Sequence, residues 1–134
     1  MIANRSTSSA TPATAWALLA RPERWHEWAP HVRGAWGLGQ PEVREGATGA
    51  ARLLGVVPIP ATVTEKVAGE SWTWKVGPVS LVHAVREDPA GCEVAIDIHA
   101  PAALESVLAV SYGPIVGRLV ERIARVAESS EQLS

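Results

Sequence analysis

The stretch RPERWHEWAPHV, Arg21 to Val32, brings two histidines, two carboxylates and two tryptophans together. His26-Glu27 opens like the zinc-protease helix His-Glu-x-x-His, in which two histidines four apart face one metal. Pro30 occupies the position of the second histidine, and His31 lies one residue too far along. No cysteine or carboxylate cluster completes a shell, so no metal is expected and both histidines are read as solvated. Trp25 and Trp28, three apart, share one side of a short helix and are read instead as an aromatic wall.

Four other polar residues have chemical potential. His83 alternates with Leu81 and Val85, and Glu65 with Val63 and Val67, which places both on the apolar side of strands. Burial there would draw a histidine and a carboxyl toward neutral pKa values, as acid–base work requires. Arg52, pointing the same way, would polarise a carbonyl. Tyr112 lies beside the apolar stripe of a late helix. His99 is out of phase with Val94, Ile96 and Ile98 and is expected in solvent. Cys92 is the only cysteine, which excludes an internal disulfide and a CxxC pair, and its acidic neighbour Glu93 makes it a poor nucleophile. There is no GxSxG elbow, P-loop or GxGxxG loop, and no cofactor is expected.

These residues need elements to hold them. Thr11 and Pro12 start a short helix running to Ala20, and Pro22-Glu23 starts another that Pro30 ends or kinks. Period-two runs then predict strands over 47–54, 61–67, 72–76, 79–87 and 93–100, and their short Gly and Pro turns imply an antiparallel meander. From Ala102 to about Glu128, apolar residues recur at Leu104, Leu108, Tyr112, Ile115, Leu119, Ile123 and Val126, one stripe of a long helix. Gly113-Pro114 should kink it.

Composition sets outer limits. The 134 residues suffice for one domain, expected over 1–128 with a frayed tail at 129–134. Twelve Lys and Arg against fourteen Asp and Glu leave no basic stripe for nucleic acid. No apolar run approaches the ~20 residues of a membrane helix, and the N-terminus lacks a signal-peptide apolar region, so a cytoplasmic protein is expected. The aromatic set is six Trp, one Tyr and no Phe. Tryptophan joins a large apolar face to one N–H donor, which suits a half-wet pocket wall.

The order of elements, SSATPATAWALLARPERWHEWAPHV with its Trp-x-x-Trp-x-Pro segment, Gly46, His83 late in a strand, AGCEVAI leading into the last strand, and the long final helix together resemble the START-related helix-grip superfamily. The likeness is to its polyketide cyclase/dehydrase and lipid-transport branch and covers Ile2 to Glu128. It implies an α+β helix-grip fold, with a curved antiparallel sheet of about six or seven strands around the C-terminal helix. It also implies a cavity for a lipid-, aromatic- or polyketide-like ligand. Small residues such as Gly49, Ala50, Ala51, Gly55, Ala61 and Gly113 agree, because they leave volume. The expected wall is Trp25, Trp28, Trp72, Trp74, Leu81, Leu108, Tyr112 and Ile115. A carrier or sensor is the first expectation. The alternatives are a cyclase or dehydrase using His83, Glu65, Arg52 and Tyr112, or an interaction module with a filled cavity. A monomer or weak homodimer is expected.

Overall fold

A computed structural model describes residues 1–29, 32–53 and 57–132, with backbone alone at 32–34, 52–53 and 57–58. Pro30, His31, Leu54 and Gly55 therefore lie outside the described residues, as does the side chain of Arg52. Strand β1 (Ile2–Ser8) leads into helix α1 (Pro12–Ala20) and a 3-10 helix (Pro22–Glu27). Six strands follow: β2 (Val32–Trp36), β3 (Thr48–Leu53), β4 (Val57–Val67), β5 (Ser71–Val76), β6 (Val79–Asp88) and β7 (Gly91–His99). Helices α2 (Ala102–Ser111) and α3 (Gly113–Gln132) close the chain.

All seven strands form one antiparallel sheet in the order β1-β7-β6-β5-β4-β3-β2. The first strand thus pairs with the last, and α3 packs on β1, β7 and α1. That closure demands close backbone approach at the β6–β7 turn. Gly91, at φ 143°, could not carry a Cβ, which would lie 2.5 Å from the Ser8 carbonyl oxygen and 2.6 Å from that of Ala10.

Helix α1 shows why the tryptophans are where they are. The last four carbonyls of a helix lack partners within it. Here Arg21 N–H bonds to Ala17, and Val43 N–H to Ala20. The Trp28 indole donates to Leu18 at 2.9 Å, and the indoles of Trp25 and Trp72 donate to Leu19 at 3.0 and 3.2 Å. Three ring N–H groups therefore satisfy the buried end of α1 and fix three ring planes against the sheet. At its start, Thr11 offers no side-chain cap. The Glu131 carboxylate, from the far end of α3, accepts from Thr11 N–H and from the hydroxyls of Thr11 and Thr14. So α3 is helical to Gln132, beyond the Glu128 at which fraying was expected.

Three further features go beyond or against the sequence reading. Strand β2 was not foreseen, because VRGAW has no clear alternation. In β4 the register shifts between Val63 and Glu65. Val63 is buried, but the residues after the irregularity change face, so Glu65 and Val67 are exposed. The Gly113-Pro114 kink is a 59° bend between α2 and α3, since Pro114 has no N–H to continue the ladder. The bend moves the apolar stripe: Ile115 is 48 % exposed, and Val116 and Val120 are buried beside Ile123. Among the described residues no single helix is long and apolar enough to cross a membrane.

Candidate ligand cavity

Between the concave sheet and α2/α3 lie two adjoining cavities, of about 60 and about 200 Å³. Trp74, Leu81 and Tyr112 line both. Trp25, Trp28, Trp72, His83, Ile96, Val116 and Leu119 complete the smaller one, with Ala29. Ala51, Ile59, Ala61, Val76, Val79 and Leu108 complete the larger. Strand alternation puts Trp72 and Trp74 of β5 and Leu81 and His83 of β6 on the same face, paired across the ladder as Trp72↔His83 and Trp74↔Leu81.

The wall is a ring stack. Trp25 lies parallel to Trp72 with centroids 5.6 Å apart, and Trp72 lies parallel to His83 at 3.8 Å. Trp74 stands nearly perpendicular to Trp25, Trp72 and His83, at 5.4, 5.7 and 5.9 Å. Both parallel and edge arrangements suit the charge distribution of aromatic rings. The tryptophans of RPERWHEWAPHV therefore have two functions: their N–H groups bind α1 and their faces enclose the cavity.

His83 is buried, and burial pushes its imidazole down to about 3, although the carbonyls of Trp72 and Leu81 oppose that shift. Its Nδ1 lies 3.3 Å from the Trp72 carbonyl oxygen. That oxygen can only accept, so the proton of the neutral ring is assigned to Nδ1 and Nε2 keeps a lone pair. Burial raises the Tyr112 phenol above its usual value, keeping it protonated. No charged side chain lines either cavity among the described residues.

Of the expected site residues, the structure brings together Trp25, Trp28, Trp72, Trp74, Leu81, His83, Leu108 and Tyr112. It does not bring in Ile115 or Glu65, both of which face outward. His26 and His99 are exposed, as expected. Burial, ahead of the charges of Glu131 and Asp88, raises the Cys92 thiol, which is consistent with an inert cysteine. Val116 was missed because the kink moves it into the place expected for Ile115. Ile96 was legible from its alternation with Val94 and Ile98. Among the described residues no group of His, Cys, Asp and Glu could hold a metal.

A family model for polyketide cyclase/dehydrase and lipid-transport proteins matches residues 2–128. The chain belongs to that family. Solved structures with the same fold include the Nitrosomonas europaea protein NE0264, 12 % identical, with 98 % of this chain and 96 % of that one covered and a TM-score of 0.76. The Mesorhizobium loti protein MLL2253 is 10 % identical, with 96 % of each chain covered and a TM-score of 0.76. The Staphylococcus saprophyticus protein SSP2350 is 10 % identical, with 92 % and 87 % covered and a TM-score of 0.75. At such identities the polyketide cyclase/dehydrase family fold is what is shared. No curated protein sequence matches the chain.

Proposed function

We propose that this member of the polyketide cyclase/dehydrase family binds a hydrophobic, ring-containing small molecule between sheet and C-terminal helices and acts as a carrier or sensor. The observation that carries this reading is a cavity walled by four tryptophans, Leu81 and Tyr112 with no charged lining residue described. Apolar enclosure with a few placed polar groups is the usual form of a small-molecule site. The cyclase alternative fits the same cavity less well. It needs a base near neutrality, whereas His83 is pushed down to about 3 and the carboxylate of Glu65 is on the other face of the sheet.

The test is native mass spectrometry of the purified protein and a tryptophan-fluorescence titration with bicyclic aromatics. Wild type should give saturable quenching. Ala61→Leu, which fills the larger cavity from a buried wall position, should fold and lose it. Equal titrations of both proteins, or none for wild type, would overturn the reading.

A further inference from the structure

We propose that the outer side of the α2–α3 bend docks on a lipid bilayer carrying anionic headgroups, with Val107, Val110 and Ile115 at the acyl boundary and Arg118 and Arg122 on the headgroup phosphates. Only surface side chains are involved, so the docking stands or falls separately from the cavity reading above.

From Ser106 to Gly117 the chain carries no charged residue. The one charge of α2, Glu105, is ion-paired with the Met1 ammonium at 2.6 Å. A helix so apolar is ordinarily buried, yet no residue of α2 is, and its main packing partner is α3. Leu104 and Leu108 are half-buried, whereas Val107 and Val110 are 57 and 80 % exposed. With Ile115 they make up three of the six large hydrophobic residues exposed among those described, and such a cluster marks a surface that something covers. The charge that follows indicates what. Arg118, Arg122 and Arg125 stand three, seven and ten residues after Ile115, on one side of α3, and all four are exposed. The net charge of −2 conceals this local row. Arg125 is held by Glu128 and the Thr7 carbonyl, and Arg122 donates to the Glu27 carbonyl at 3.4 Å. Arg118 has no hydrogen bond or ion pair among the described residues. Glu121 is the one exposed carboxylate interleaved with them. Arg118 begins about 5 Å beyond Ile115 along the axis, close to the thickness of a headgroup layer, and a guanidinium grips phosphate through two parallel N–H bonds. A second copy of the chain fits less well: α2 is about 15 Å long and 10 Å wide, far short of the roughly 800 Å² that each partner of a stable dimer buries. A bilayer sets no such demand and supplies acyl chains and phosphates together.

The experiment is flotation of the full chain with vesicles of phosphatidylcholine alone or mixed with phosphatidylglycerol. Wild type should float with the mixed vesicles, far less with phosphatidylcholine alone, and progressively less as salt is added. Arg118→Gln and Arg122→Gln should each weaken binding about fivefold, and Val110→Ser should weaken it about threefold or more. All three positions are exposed, so the melting temperatures should stay near that of wild type. A bimane label locates the contact. Attached at Val110→Cys it should shift to the blue on the mixed vesicles, and attached at Val67→Cys, exposed on β4, it should not; the native Cys92 is buried and escapes labelling. Absence of flotation, equal binding to both kinds of vesicle, binding unchanged by the two arginine substitutions, or an equal shift at Val67 would overturn the docking. So would a dimer seen by sedimentation in vesicle-free buffer and abolished by Val110→Ser, because the face would then belong to a second copy.

Discussion

Acidification from pH 7.5 to 5.0 should destabilise the protein by about 2 kcal/mol through His83 alone. The imidazole shifts from an ordinary value of 6.5 to about 3 in the fold. Between those values the unfolded chain binds a proton that the folded one refuses. Stability present above pH 6.5 is therefore lost as pH falls toward 3. At pH 5.0 the loss spans roughly 1.5 of those pH units, at about 1.36 kcal/mol each. His83→Phe keeps a ring against Trp72 but cannot take the proton. The other titrating groups are common to both proteins and cancel in the comparison. Urea unfolding followed by tryptophan fluorescence, at both pH values, measures it. Wild type should lose about 2 kcal/mol more than His83→Phe on acidification, or about 1 M in midpoint for a slope of about 2 kcal/mol per M. Equal losses would mean that His83 titrates normally within the fold. The cavity would then be wet, and its apolar character, on which the ligand reading depends, would be refuted.

Other substitutions test the supporting framework. Trp28→Ala should cost about 3–5 kcal/mol by urea unfolding, because it empties a buried site and strips the Leu18 carbonyl of its donor. Ile123→Ala should cost about 2–5 kcal/mol, whereas Ile115→Ala stays within about 0.5 kcal/mol; comparable losses would mean that the stripe does not change phase at the bend. Glu131→Ala should lower the melting temperature at pH 7 by freeing the start of α1. Its carboxyl is held below the usual 4.5, chiefly by the Thr11 N–H, so its stabilisation is present above that value and lost as pH falls through it. The deficit should therefore shrink in acid, and a melting difference that persists at pH 3 would contradict the capping role.

Much of this molecule can be read locally. Helix α1 is bounded by Thr11-Pro12 and Arg21-Pro22, residues whose own backbone preferences start and stop a helix. Strands β5 to β7 carry unbroken alternation, so Trp72, Trp74, Leu81, His83 and Ile96 have their facing determined by the period of a strand. The wall of the cavity was accordingly legible, and so was the kink at Pro114. What tertiary structure alone decided lies where a local period is interrupted or a partner is distant in the chain. The irregularity after Val63 is a property of two paired strands, and it turned Glu65 outward. The bend at Gly113-Pro114 has an obvious local cause, but its angle depends on what α2 and α3 pack against, and that angle exchanged Ile115 for Val116. Glu131 holds Thr11 across 120 positions of sequence, a pairing no spacing rule contains. The sequence also shows six equivalent tryptophans. Only the folded chain separates those whose N–H groups close α1 from Trp74, whose buried N–H has no partner, because hydrogen-bond satisfaction depends on atoms brought together by the whole sheet.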